Sequence, residues 1–229
     1  MKRLFFFSST FMLVLFFLLG VCQSSSLPEL KSSSFQSNNR ALVLTEPRIL
    51  LPDFAFHKAG KIAFTNESLK NKWTLFFVGY TFCPDICPTT LSQLDRIYPN
   101  LTNNANTTTQ VVFVSVDPNR DKAEQLADYV HYFNQNFIGV TGTHQQLWPF
   151  VTQLGLIYSI VEEGESEDAY YLVDHSASIV LINPAGEFHA TFKSVVNKQG
   201  VHNVDMDLMV EDIKKIQQQY ALEHSPKLD

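Results

Sequence analysis

Two cysteines four residues apart, Cys83 and Cys87, lie in the stretch Gly79-Tyr80-Thr81-Phe82-Cys83-Pro84-Asp85-Ile86-Cys87-Pro88. Thiols so spaced suit two tasks: gripping a soft metal ion, or cycling between dithiol and disulfide. Upstream, Trp73-Thr74-Leu75-Phe76-Phe77-Val78 is a short apolar run that reads as a fully covered strand. Downstream, Leu91, Leu94, Tyr98 and Leu101 recur at helical spacing. Pro88 suits the first turn of that helix, where its missing N–H leaves no bond unmade. The pattern predicts a loop carrying Cys83 and a helix from about Pro88 to Tyr98 with Cys87 at its N-terminus. Free N–H groups and the helix dipole there favour a thiolate. Redox motifs commonly space their cysteines as C-x-x-C. One more residue still permits a disulfide and lets both sulfurs face one ion. The bland alternative, two inert core cysteines, fits poorly with a loop position and two prolines.

The elements that must position this loop can be followed along the chain. Asp53–Phe56 and Lys61–Phe64 flank His57-Lys58-Ala59-Gly60 as a hairpin. Gln110–Val116 is continuous and β-branched, as a central parallel strand should be. Asp121 and Glu124 predict a capping box for the helix carrying Leu126, Tyr129, Val130 and Phe133. Phe137–Val140 reads as a short strand. The next helix carries Leu147, Phe150, Val151 and Leu154, with Gly155 to end it. Thr143 and Gln146 suggest a capping box there too, but Pro149 would break a backbone bond, so a start near Trp148 is expected. Leu156–Val161 reads as a strand and Glu162–Asp168 as an acidic turn. Ala177–Ile182 and Glu187–Lys193 form a hairpin around Asn183-Pro184-Ala185-Gly186. A last helix runs from about Asn203 to Leu222. This order predicts an α/β fold: a thioredoxin-like domain with an N-terminal hairpin and a mixed central sheet flanked by helices. Function gathers at the carboxyl ends of such strands, where Cys83 falls.

Two thiolates invite a third ligand. Of seven histidines, six have ordinary places in turns, helices, a strand or the tail. His175 does not. It stands in Val173-Asp174-His175-Ser176-Ala177-Ser178, at the entry of the last hairpin. In a thioredoxin-like fold that loop passes beside the cysteine loop, where thioredoxins keep a cis-proline. A set of two Cys and one His is soft and three-coordinate and suits Cu(I); an added oxygen ligand would let it hold Cu(II). A structural zinc site would want a fourth protein ligand, and none is evident. Asp85 reads as a cap for the Cys87 helix, or as a charge near the metal. Asp117 and Arg120 read as fixing the second strand-to-helix loop. Asp174 either orients the imidazole as an outer partner or faces solvent.

With these residues in view, the chain resembles the Sco (SenC) family of copper proteins needed to assemble cytochrome c oxidase. The resemblance rests on Gly79–Thr90, on Phe113-Val114-Ser115-Val116-Asp117-Pro118-Asn119-Arg120-Asp121, on Phe137–Thr143 and on Val173–Ser178. It covers about residues 50–200. It implies a thioredoxin-like fold, a membrane tether in an exported compartment, and copper bound by Cys83, Cys87 and His175. The partner implied is the copper-site subunit of cytochrome c oxidase, with other periplasmic copper or thiol proteins behind it. Three functions compete: a copper metallochaperone, a thiol–disulfide oxidoreductase that reduces the cysteines of that subunit, and a redox or copper sensor. Catalysis, if any, would be disulfide exchange at Cys83 and Cys87.

The N-terminus fits export. Lys2 and Arg3 precede an apolar run from Leu4 to Val21, a charged n-region and a hydrophobic h-region. Leu19-Gly20-Val21-Cys22 resembles a lipobox, with Val21 where a small residue is usual. Cys22 would then carry acyl groups. An uncleaved anchor and a cleaved soluble form are the alternatives. The expected divisions are an anchor over 1–22, a Ser/Asn/Gln-rich tether over 23–41, the thioredoxin-like copper-binding domain over 42–222, and a tail over 223–229. The domain would lie in the periplasm, or outside the cytoplasmic membrane of a bacterial cell envelope. That space is oxidising, so the dithiol could close to a disulfide. A net charge of −6 over 229 residues argues against nucleic acid, which wants a basic face.

Overall fold

A computed structural model of the chain describes residues 41–43, 48–102, 108–162, 171–196, 200 and 202–225. The expected anchor, nearly all of the tether, most of the acidic turn and the final residues lie outside these. In chain order the strands and helices are β1 (Ala41–Val43), β2 (Ile49–Leu50), β3 (Ala55–Lys58), β4 (Ile62–Thr65), β5 (Trp73–Gly79), α1 (Ile86–Thr102), β6 (Thr109–Ser115), α2 (Ala123–Phe133) and β7 (Ile138–Val140). There follow α3 (His144–Gln153), β8 (Tyr158–Glu162), β9 (Tyr171–His175), β10 (Ile179–Ile182), β11 (Glu187–Phe192), β12 (Val195–Val196), β13 (His202–Asn203) and α4 (Met206–Glu223).

Every residue of β5 and β6 is buried, so each strand must be covered on both faces. Side chains alternate across the sheet, and the two faces have different covers. Trp73, Leu75, Phe77, Val111 and Phe113 meet Leu91, Leu94 and Ile97 of α1, Leu126 and Val130 of α2, and Met209 and Ile213 of α4. Phe76, Val78, Val112, Val114 and Val180 meet Leu147, Phe150 and Val151 of α3 and Phe56 and Phe64 of the β3–β4 hairpin. Phe150 stands among Phe54, Phe56 and Phe76 at 4.8–5.2 Å between ring centroids. The sheet order is β1-β11-β10-β5-β6-β7, with β2 also on β11. β6 and β7 run parallel to β5, while β10 and β11 alternate against it. The mixed thioredoxin-like sheet is therefore present, and β1 and β2 extend it further than expected.

Several boundaries differ from the sequence reading, each for a local reason. α1 begins two residues earlier, so Cys87 lies inside its first turn, and it runs through Pro99 to Thr102. Pro99 is exposed, so the carbonyl it leaves unbonded opens toward solvent. α3 begins at His144, not near Trp148: the Gln146 side chain accepts from the Thr143 N–H (3.0 Å) and hydroxyl (3.1 Å). Pro149 is again exposed, which makes it tolerable in the helix. α3 ends as expected at Gly155 (φ +68°), with Leu156 N–H on Val151 O and Gly155 N–H on Thr152 O. α4 starts at Met206, capped by the Asp205 carboxylate on Leu208 N–H. The Asp121–Glu124 capping box is absent: α2 is preceded by Lys122, and Asp121 is buried elsewhere. The strand ending at His175 was not foreseen. β9 pairs with β8 in a two-stranded sheet of its own.

If α3 starts at His144, Gln146→Ala should lower urea-unfolding stability by about 1 kcal/mol through loss of the cap. A neutral result would favour the later start.

Candidate metal centre

The loop between β5 and α1 is held by one carboxylate. Asp121, 1% exposed, accepts from Thr81 N–H (2.8 Å), Thr81 Oγ1 (2.5 Å) and Ser115 Oγ (2.5 Å). A buried charge is tolerable only when so bonded. It ties the loop after β5 to the end of β6. The Cys83 N–H then closes a turn onto Tyr80 O (3.2 Å), leaving Cys83 half-buried.

Cys87 is fully buried within the core that α1 makes with β5 and β6. Gly79 makes room for it. A Cβ at Gly79 would fall inside the contact radius of Cys87 Sγ and 2.8 Å from Phe113 Cε2. The third group arrives from β9. His175 Nε2 lies 3.4 Å from Cys87 Sγ, and its Nδ1 lies 3.2 Å from Ser176 O. The ring packs edge-on against Phe77 and Tyr80, at centroid distances of 6.2 and 5.9 Å. Ligand atoms of Cys83, Cys87 and His175 all lie within 4.8 Å of one another. Among the described residues, no other group of three or more His, Cys, Asp or Glu is so placed.

Both cysteines are free thiols, and their environments drive them apart. The Cys83 thiol is pulled far below its ordinary value by the hydrogen bond from Cys87, against burial, with help from His175 and the backbone N–H groups of Asp85 and Cys87. Cys87 is pushed well up by burial and by the neighbouring Cys83. Both directions make Cys83 the sulfur that ionises more readily of the two. Tyr129 is also raised, first by burial and then by the charge of the two sulfurs and Asp121. Its hydroxyl is buried with no hydrogen-bond partner in the structure.

Asp85 supplies the carbonyl that receives Thr89 N–H (3.2 Å) and so stands at the start of α1. Its side chain is exposed. Asp174 is exposed, in line with the solvent-facing alternative, and the imidazole Nδ1 faces the Ser176 carbonyl. Cys22 lies outside the described residues. The contributions of Asp121, Gly79 and Ser176 were missed in the sequence reading. A glycine directly after a buried strand was the one visible hint.

Asp117 and Arg120 do fix the loop after β6. Arg120 Nε pairs with Asp117, which is 1% exposed. Tyr171 Oη donates to Asp117 Oδ1 at 2.7 Å. Burial and the Asp117 carboxylate raise the Tyr171 hydroxyl to about 12, so it remains a donor at neutral pH.

Fold and site together define a class: a thioredoxin-like protein with a dithiol–imidazole cluster at the carboxyl end of its central strand. More narrowly, the chain belongs to the SCO1/SenC family, whose sequence pattern matches residues 44–225. It is 33% identical over 188 residues, 82% of this chain and 91% of the relative, to a Stutzerimonas stutzeri protein named for copper binding. It is 33% identical to the mitochondrial SCO1 homolog 1 of Arabidopsis thaliana over 68% of this chain and 43% of that one. Among solved structures, Arabidopsis thaliana ScoI with copper bound matches with a TM-score of 0.64 and 31% identity over 75% of this chain and 99% of that one. Apo Sco1 of Thermus thermophilus matches at 0.65 and 28%, over 80% and 99%.

At pH 6, iodoacetamide should modify Cys83 and spare Cys87, read by peptide mass mapping of the metal-free protein. An ordinary thiol is almost wholly protonated there; a depressed Cys83 is not. Gly79→Ala should cost about 1–3 kcal/mol by overpacking and displace Cys87, so that copper affinity falls with stability.

Proposed function

We propose that the protein is a copper metallochaperone of the cell envelope. It carries copper on Cys83, Cys87 and His175 and passes it to the binuclear copper site of cytochrome c oxidase. The observation that carries this reading is the convergence of two sulfurs and one imidazole nitrogen within 4.8 Å. That soft set matches Cu(I), and Cu(II) with an oxygen ligand added. Copper-bound structures of relatives support it, as does the description of a Sco-family structure as that of a cytochrome c oxidase assembly protein. Copper here is cargo. Half-buried Cys83 leaves one side of the cluster open to an incoming ligand, so the ion can be shared before it is released. The segment over 1–22 would tether the domain to the membrane, by acylated Cys22 or as an uncleaved anchor. Among the described residues, no helix is long and apolar enough to cross one.

A second reading, thiol–disulfide exchange, is favoured by two free thiols close together, of which half-buried Cys83 is the more accessible and is lowered from its ordinary value while buried Cys87 is raised. Cys83 would attack a partner disulfide and expel one thiolate. Cys87 would then lose its proton and displace the second. The partner gains two electrons, and Cys83 and Cys87 become a disulfide. This chemistry has no need of His175.

Copper titration of the reduced protein beside His175→Ala separates the two. The parent should bind one copper. The variant should lose at least about a hundredfold in affinity, more than the 10–100-fold that an outer partner is worth. Equal affinity in the variant would remove His175 from the site and leave the dithiol as a reductant.

A further inference from the structure

The imidazole has a weak mount. His175 is the last residue of β9, which among the described residues pairs with β8 alone, outside the seven-stranded sheet. An isolated pair of strands is marginal by itself. Val173 and Tyr158 anchor this one in the core beneath α3, but apolar contacts set depth better than register.

Arg120 supplies what those contacts lack. Its guanidinium lies over the Tyr171 ring at 3.7 Å, over Phe82 at 4.9 Å and over Tyr80 at 5.4 Å. Nη1 donates to the Tyr171 carbonyl at 3.0 Å, and Nε pairs with buried Asp117. Asp117 in turn accepts from the Tyr171 hydroxyl at 2.7 Å. One side chain therefore grips the first residue of β9 by ring face and carbonyl, and the same plane covers the rings on either side of Thr81. Tyr80 completes the circuit, since its ring edges His175. Phe82 directly precedes Cys83. A lysine could not do this: it has no plane to stack and no fork to bond two oxygens at once.

We propose that Arg120 is a positioning residue that holds the His175-bearing hairpin against the cysteine loop. It is not one of the three cluster residues and acts through Tyr171 and Tyr80. Its effect on the imidazole is separable from the dithiol, because Cys83 and Cys87 share one loop and helix while His175 lies 88 residues further on.

The test has a metal-free arm and a copper arm, and only the second rests on the function proposed above. In metal-free Arg120→Met, which keeps an apolar stem but removes the charged plane, NMR should show loss of the nuclear Overhauser contacts from the His175 ring to Tyr80 and Phe77. Amide resonances of α1 should stay in place. In the copper arm, Arg120→Met should weaken binding about tenfold in the parent and have no further effect in a His175→Ala background. The proposal is overturned if the ring contacts persist, or if Arg120→Met weakens copper equally in both backgrounds, since it would then act on the dithiol or on the whole fold. A parent that binds no copper would sink the metallochaperone reading, and the ring contacts alone would decide the role of Arg120. Should Arg120→Met not fold, Arg120→Lys keeps stem and charge and faces the same measurements. Retained ring contacts in that variant would overturn the proposal, because charge would then suffice without the plane.

Discussion

One buried carboxylate sets the geometry of the site. Asp121 takes three hydrogen bonds, two from Thr81 and one from Ser115, and in doing so fastens the exit of β5 to the exit of β6. Without donors, a carboxylate at that depth would be strongly unfavourable. With them, each bond is charge-assisted and directional. The loop that carries Cys83 thereby inherits the rigidity of two central strands. Asp117 repeats the arrangement one turn earlier, with Ser115 Oγ on its N–H and Arg120 and Tyr171 on its oxygens. Two aspartates four residues apart thus serve both parts of the centre: one holds the cysteine loop and the other bonds the first residue of β9.

The dithiol divides along the boundary of the core. Cys87 is a core residue by packing, yet its sulfur belongs to the dithiol–imidazole cluster. Its sulfur occupies the space that Gly79 leaves open beside Phe113. Cys83 stands half outside. Burial makes ionising Cys87 costly, while its hydrogen bond makes ionising Cys83 easy. The more readily ionised sulfur is therefore also the accessible one, and the other is sheltered. The asymmetry comes first from the hydrogen bond between the sulfurs and from the greater depth of Cys87, with His175 and the backbone N–H groups of Asp85 and Cys87 adding to it at Cys83.

Much of this was legible in the chain. The buried runs at β5 and β6 announced the sheet, and the prolines around the cysteines announced a loop and a helix start. His175 stood out because its neighbours placed it opposite that loop. What stayed hidden depends on contacts remote in sequence. Asp121 precedes a glutamate at capping distance, and a local rule assigned it to α2. The competing partners were Thr81, forty residues back, and Ser115. The start of α3 was misjudged because Pro149 was weighed against helix without knowing that it faces solvent. β9 was missed because its pairing with β8 spans a long connection and offers only five residues of pattern. Asp174 sits beside the ligand in sequence, yet it is the Ser176 carbonyl that meets the imidazole.

The same division between near and far contacts bears on function. The two sulfurs are brought together by five residues of chain and a helix turn, so dithiol chemistry is available wherever β5 and α1 are formed. The imidazole is brought by a separate hairpin whose grip on the domain is a stacked arginine, a buried tyrosine and a few apolar contacts. Disulfide exchange depends only on the first arrangement; three-ligand metal binding depends on both. Withdrawal of β9 by the length of one hydrogen bond would leave a competent dithiol and an incomplete metal site. Whether the imidazole joins the two sulfurs therefore depends on the docking of a hairpin and not on the cysteines themselves. A fold that keeps this imidazole on a strand pair outside the main sheet makes a three-residue cluster depend on how that pair docks.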